Sequence, residues 1–162
     1  MSAIARKIRD DELLIERTFD APLELVFRLW ESRDHMIRWW GPEKFTCIEL
    51  DWEMKPGKAW RAAMTSTQFG LSRMGGVVRE VEKNKRIVFS FKWDSDSGED
   101  MDTVVTVTFA EKDGKTIQSF HQTPFSDVKV RDDHIGGWNS LFNKQQLYAE
   151  NYALAEKKGL KA

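Results

Sequence analysis

The stretch Ile87-Val-Phe-Ser-Phe-Lys-Trp93 alternates bulky apolar side chains with smaller or polar ones. Successive side chains of a β-strand point to opposite sides of the sheet. One face of this strand is therefore predicted to be aromatic and buried, while Val88, Ser90 and Lys92 form a face that water can reach. Residues 105–109 repeat the alternation. Together these stretches indicate an antiparallel sheet with one face against a core.

Short apolar runs separated by turn signals extend this pattern from Lys44 to Thr123. Lys55-Pro-Gly57 and Lys112-Asp-Gly-Lys115 are typical turn sequences. Their spacing predicts an antiparallel meander rather than alternating strands and helices. The strands predicted for the meander span residues 45–52, 59–65, 77–81, 87–93, 103–109 and 116–123. A further strand is predicted at residues 12–19, ahead of the meander.

Two helical segments are predicted between the first strand and the meander. Asp20 is a candidate helix cap, and Pro22 suits the first turn that follows it. The apolar stripe continues through a short second segment to Trp39-Trp40, and Gly41-Pro42 ends it. The apolar positions of the first segment are Leu23, Val26, Phe27 and Trp30.

A long helix is predicted at the end of the chain, from a cap at Asp132 or Asp133 to Gly159. It would have roughly 27 residues and a length of about 40 Å. A domain of this size has a radius of gyration near ~15 Å, so the helix must lie across the sheet. Gly136-Gly137 is expected to let its backbone approach a strand closely. One helical face carries Trp138, Leu141, Phe142, Gln145, Ala149 and Tyr152.

Composition narrows the classes of function. The chain has 162 residues, which is typical of one domain, so residues 1–162 are expected to form a single domain. A net charge of -1 argues against a surface that neutralises nucleic-acid phosphates. One Cys excludes an intrachain disulfide and a cysteine-rich zinc module. The sequence shows neither an apolar secretory segment nor a membrane span, so we expect a cytoplasmic protein with no membrane partner.

Candidate chemical motifs are weak. His35, His121 and His134 do not have a spacing that aims two ligands at one metal, and no metal or cofactor is predicted. Cys47 is interpreted as a small hydrophobic residue. The acidic loop 94–100 has Val105 where a calcium loop needs its distal Glu, so it is predicted to be a hairpin loop. Carboxylates at Glu49, Asp51 and Glu53 alternate along a strand and are expected on a solvated face.

Several short sequence motifs, taken in this order, resemble those of a known family. They are Arg17-Thr-Phe-Asp-Ala-Pro22, Arg38-Trp-Trp-Gly-Pro42, Lys55-Pro-Gly57, Gly75-Gly-Val-Val-Arg-Glu-Val81 and Gly137-Trp138. The chain is similar to the START-like (SRPBCC) helix-grip superfamily, in the branch related to the activator of the heat-shock-protein-90 ATPase. This resemblance implies an α+β fold. Its curved seven-stranded antiparallel sheet would grip a long C-terminal helix, with two short helices after the first strand. It also implies an apolar cavity between helix and sheet.

The resemblance also suggests which residues border that cavity. The expected ligand-binding residues are Trp40, Trp60, Met64, Phe91, Phe120, Trp138, Phe142 and Gln145. Gln145 stands where the family commonly has Leu. The sequence of the final strand does not decide which side faces the core, since either the Phe120 face or the His121 face could point inward. The family register favours the Phe120 face, which would put Gln118, Gln122 and Gln145 near a partly polar cavity.

Three functions follow from the resemblance. The leading one is the binding of a small hydrophobic or aromatic molecule between sheet and helix. The first alternative is a cyclase-like or hydrolytic reaction in the same cavity, with His121 or Gln145 positioning a polar group. The second is a chaperone ATPase activator that acts through surface contacts. Expected partners are therefore a small hydrophobic molecule and, as an open alternative, a second copy of the chain, but not nucleic acid.

Overall fold

The computed structural model describes residues 8–159. Within them the chain forms β1, two short helices, six further strands and one long helix. The elements are β1 Leu13–Phe19, α1 Leu23–Glu31, α2 Arg33–Met36, β2 Thr46–Asp51, β3 Ala59–Ser66, β4 Gly70–Glu82, β5 Arg86–Trp93, β6 Thr103–Lys112, β7 Lys115–Thr123 and α3 Val128–Lys157. The strands that the turn signals predict are all present, and β4 extends well beyond its predicted residues 77–81.

The strands form one antiparallel sheet in the order β1-β7-β6-β5-β4-β3-β2. The first strand, β1, pairs with the last strand, β7, and Ile15 lies opposite Phe120. Irregularities between Cys47 and Glu49 and between Val78 and Glu80 interrupt the pairing, and such bulges bend a sheet. The predicted α+β helix-grip architecture is confirmed.

The outer face of β5 departs from the predicted alternation. Val88 and Ser90 are buried, like their aromatic neighbours, and only Arg86 and Lys92 at the ends of this face are exposed. At the β4 irregularity, the Ser90 hydroxyl accepts a hydrogen bond from the Val77 amide at 2.8 Å. A Cβ at Gly76 would lie 2.0 Å from the Ser90 carbonyl oxygen, so only glycine allows this approach.

The helix boundaries correct two predictions. Helix α1 begins at Leu23 after Pro22 without a side-chain cap, and Asp20 instead donates its backbone N–H to Glu150. Helix α3 begins at Val128, several residues before the predicted caps. Asp127 caps α3 by accepting a hydrogen bond from the Val130 amide at 2.9 Å. The first turn of α3 carries no apolar repeat strong enough to mark it, which explains the late prediction.

Helix α3 packs its apolar face across the inner side of the sheet. Trp138 packs against Phe91 of β5 and Phe120 of β7, with ring centroids 5.7 Å and 4.5 Å away. Gly136-Gly137 does not bring the helix close to a strand, because a Cβ at either position would meet nothing within 4 Å. The expected close approach is wrong, and Gly137 leaves open space instead. The buried positions of α3 are Trp138, Leu141, Phe142, Gln145, Ala149 and Ala153.

Candidate functional site

A cavity of about 230 Å³ lies between the N-terminal half of α3 and strands β3, β4 and β5. The loop that follows α2 closes one side of it. Most of its lining is apolar, and the half-buried or exposed residues Pro42, Trp93, His134 and Asp133 form the rim. The lining residues are Trp40, Gly41, Pro42, Met64, Met74, Phe91, Trp93, Asp133, His134, Gly137, Trp138 and Leu141.

The aromatic walls of this cavity are held by one another. Trp138 meets Trp40 and Phe91 at ring-centroid distances of 5.7 Å, with interplanar angles of 76° and 68°. Phe91 meets Trp93 at 5.2 Å and 84°. These edge-to-face geometries are the favoured ones for aromatic pairs. Because each ring is fixed by a neighbour, the cavity is formed before any ligand enters it.

The rim has a defined histidine tautomer. The Trp93 indole N–H donates to His134 Nε2 at 3.0 Å, and His134 Nδ1 lies 2.7 Å from the Val130 carbonyl oxygen. Nε2 must accept and Nδ1 must donate, which assigns a neutral imidazole with its proton on Nδ1. Burial lowers the pKa of His134, and this effect exceeds the opposing influence of the Val130 carbonyl, Asp133 and Glu99. His134 is therefore neutral, and in this form it accepts the hydrogen bond that holds Trp93.

Two glycines make room at the cavity. Gly137 occupies the turn of α3 between His134 and Leu141, and it contributes no side chain to the space below. Gly41 has a φ of 98°, a conformation that side chains rarely adopt, and this turn places Trp40 and Pro42 on the cavity wall. The cavity thus depends on backbone positions as much as on aromatic side chains.

The structure divides the predicted ligand-binding residues into two groups. Trp40, Met64, Phe91 and Trp138 line the cavity. Trp60, Phe120, Phe142 and Gln145 are fully buried in the adjoining core and lie outside the lining. We therefore expect the first group, rather than the second, to contact a ligand in the cavity.

The side-chain amides of the core have hydrogen-bond partners within the protein. Gln118 and Gln145 exchange two hydrogen bonds, at 3.1 Å and 3.0 Å, and Trp30 donates to the Gln118 carbonyl oxygen at 2.9 Å. Gln122 accepts from the Trp138 indole at 2.8 Å and donates to Thr103 at 2.8 Å. The Phe120 face of β7 thus points inward, as the family register implies. Protein partners engage these amides, and none of the three lines the cavity, so their polar contribution to a ligand site stays a prediction.

Sequence reasoning missed part of the lining. Trp93 continues the aromatic face of β5, so the strand pattern could have added it to the site. His134 lies one helical turn before Trp138, so helical spacing could have added it to the site as well. Met74 lies in the part of β4 that turn signals did not mark as strand. The sequence predicts Gly137 as a position of close helix–strand packing, not as part of the lining. The missed lining residues are Gly41, Pro42, Met74, Trp93, Asp133, His134, Gly137 and Leu141.

Comparison with protein families gives one match. The model described as "Activator of Hsp90 ATPase homolog 1-like protein" (AHSA1) matches residues 20–150, which include β2 to β7 and most of α3. The chain belongs to this AHSA1 family. No curated protein matches it. The match confirms the START-like helix-grip resemblance drawn from the sequence.

Solved structures share the fold of this AHSA1 family member. A protein of Chromobacterium violaceum is 23% identical with a TM-score of 0.79, and the match covers 86% of this chain and 97% of that one. An AHSA1 protein of Silicibacter pomeroyi is 22% identical with a TM-score of 0.76, covering 84% and 95%. A Staphylococcus epidermidis protein is 19% identical with a TM-score of 0.74, covering 98% and 97%. At these identities the likeness shows the fold alone.

The remaining chemical candidates of this AHSA1 chain lie away from the cavity. His121 faces the outer side of the sheet, where its Nε2 lies 2.5 Å from Glu12 Oε1. Cys47 is buried, and burial raises its thiol pKa. Among residues 8–159, no group of three or more His, Cys, Asp or Glu side chains is placed to hold a metal ion. The helices described for this chain include none long and apolar enough to cross a membrane.

Proposed function

We propose that this protein binds a small hydrophobic or aromatic molecule in the cavity between α3 and the sheet. The observation that carries the proposal is a preformed apolar space whose walls include four aromatic rings. A cavity of ~150 Å³ takes benzene, so about 230 Å³ suits a molecule of roughly nine or ten non-hydrogen atoms. Flat apolar walls with few polar groups are typical of small-molecule sites.

Two neighbouring glycines provide a matched test. Gly137 lines the cavity, whereas Gly136 is exposed and lies outside the lining, and neither has an atom within 4 Å of an added Cβ. A Gly137→Leu side chain enters the cavity space, while Gly136→Leu projects into solvent. Both changes remove a helical glycine, so both gain about 0.8 kcal/mol in helix propensity. Folding is therefore maintained in the variant and in its control.

The experiment follows the indole N–H signals of the tryptophans by NMR while single-ring neutral compounds are added. We expect the signals of Trp40, Trp93 and Trp138 to shift in the wild type and in Gly136→Leu, and to stay fixed in Gly137→Leu. Native mass spectrometry of freshly purified protein would show a co-purifying molecule of matching size. A Gly137→Leu variant that binds as well as the wild type would contradict the proposal.

The enzymatic alternative depends on His121 or Gln145. His121 is engaged with Glu12 on the outer face of the sheet, and Gln145 is engaged with Gln118 in the core. Neither side chain is in position to act on a molecule in the cavity. The ATPase-activator alternative, which the family description names, stays a prediction. A pull-down with the chaperone and an assay of its ATPase rate would test it.

A further inference from the structure

We infer that the cavity selects a compact organic cation of the alkylated-ammonium class over a neutral molecule of the same shape. This inference rests on the proposed function, since it concerns the same cavity. Three independent features of the lining carry it: the inclined aromatic rings, the way the walls use their hydrogen-bonding groups, and the charges at the mouth.

The aromatic rings form a corner rather than a flat stack. Trp40, Phe91, Trp93 and Trp138 line the space, and the neighbouring rings among them are inclined by 68° to 84°. Rings inclined in this way surround a space with faces as well as edges. The face of an aromatic ring carries a negative electrostatic potential and attracts a cation that lies within about 6 Å, most strongly for Trp.

Most hydrogen-bonding side chains of the walls are engaged within the protein. The Trp138 indole donates to Gln122, the Trp93 indole donates to His134, and the second nitrogen of His134 is engaged with Val130. Among residues 8–159 the indole nitrogen of Trp40 has no hydrogen-bond partner, but it is buried beneath the cavity surface and is not accessible from it. A ligand that needs hydrogen bonds gains little here. A quaternary ammonium has no N–H group, so it leaves no hydrogen bond unmade in such a cavity.

Among the described residues that line the cavity, one is ionised, and its charge is negative. Asp133 lies at the rim, and residues 8–159 contribute neither Lys nor Arg to the lining. Lys129 is bound to Asp133 at 2.9 Å, but both side chains are exposed, so this surface pair is weak. Carboxylates surround that ammonium: Asp133, Asp127 and Glu99 all raise its pKa. Negative charge therefore exceeds positive charge around Lys129, beside Asp133 at the mouth.

The acidic loop 94–100 reaches this mouth. A Cβ at Gly98 would lie 2.6 Å from Cγ of Trp93, so the loop packs directly on the ring that forms the rim. Glu99 follows Gly98, and the charge of its carboxylate acts to raise the pKa of the His134 imidazole. The cavity entrance thus combines an aromatic rim with carboxylates from the loop and from α3. This combination attracts a cation electrostatically and then holds it against ring faces.

Phenyltrimethylammonium and tert-butylbenzene provide the test, because they have the same shape and differ in one central atom and its charge. A cavity without compensating charge or ring faces would favour the hydrocarbon, since moving an ion out of water is costly. We expect the cation to bind more tightly by roughly five- to thirtyfold, measured from the indole NMR signals up to the solubility limit of the hydrocarbon. Equal or tighter binding of tert-butylbenzene would overturn this inference and leave the proposed function standing. Binding of neither would overturn both.

Asp133→Asn isolates the charge at the rim. We expect it to weaken the cation by about two- to fivefold at low salt and to leave tert-butylbenzene unchanged, because an exposed carboxylate acts through a screened field. Asp132→Asn is the matched control, since Asp132 is an exposed neighbour on the same helix outside the lining. An unchanged cation affinity in Asp133→Asn, or an equal loss in Asp132→Asn, would overturn the role of Asp133.

Discussion

The two halves of α3 meet the sheet in different ways. Around Gly137 the helix leaves a cavity with aromatic walls, and around Gln145 the interface is closed. Trp and Phe side chains lie at both ends, so aromatic content does not separate them. The difference comes from two residues of α3. Gly137 contributes no side chain, whereas Gln145 reaches Gln118 of β7 and fills the space with a paired amide.

The largest effect should separate the two ends by packing. Phe142 is fully buried at the closed end, and its ring lies 5.1 Å from that of Phe120. We expect Phe142→Ala to lower the free energy of unfolding by about 3–5 kcal/mol. Leu141→Ala should cost less, about 2 kcal/mol, because Leu141 already borders the cavity and makes fewer contacts on that side. Urea denaturation measures both values, and equal losses would show that the two ends are packed alike.

The amide pair gives the next effect. Gln145→Met keeps the shape of the side chain but leaves the Gln118 NH2 group buried without its partner. We expect a loss of about 1–3 kcal/mol in the free energy of unfolding, the cost of an unsatisfied buried polar group. Gln68→Met is the control, since the Gln68 side chain is exposed, and it should change stability by less than about 0.5 kcal/mol. A neutral Gln145→Met would mean that the amide pair does not stabilise the closed end.

A smaller effect should appear at Gly137 with the opposite sign. Gly137→Ala adds a methyl group into open space and removes the conformational freedom of glycine in a helix. We expect both Gly137→Ala and Gly136→Ala to raise the free energy of unfolding by about 1 kcal/mol. Only Gly137→Ala should also reduce the affinity for a ligand that fills the cavity. Destabilisation by Gly137→Ala would show that this turn of the helix is packed after all.

The two ends also differ in how far the sequence predicts them. The alternation of apolar and polar side chains in β5, together with the family-like sequence motifs, predicts the sheet, the long helix packed on it and the aromatic wall formed by Phe91 and Trp138. They do not separate lining from core, because Phe120 and Phe142 have the same residue type and periodicity as the lining aromatics. That separation depends on the space left by Gly137 and on the pairing of Gln145 with Gln118. Such pairing joins residues far apart in the chain, and no local pattern encodes it.

The smallest effect tests the rim through pH. Burial lowers the pKa of His134 below its ordinary value of about 6.5, while Asp133 and Glu99 oppose this shift. The unfolded chain therefore binds more protons as the pH falls through that window, and stability falls with it. Protonated His134 has no acceptor for the Trp93 N–H, a loss of about 0.5–1.5 kcal/mol. His134→Gln keeps an acceptor at every pH. His35, whose pKa burial, Arg28 and Arg38 also lower, titrates in both proteins and cancels in the comparison.

Chemical denaturation at about one pH unit above and below 6.5 measures the effect. The free energy of unfolding should fall more on acidification in the wild type than in His134→Gln. Equal falls in both proteins would mean that neutral His134 does not hold Trp93 at the mouth of the cavity.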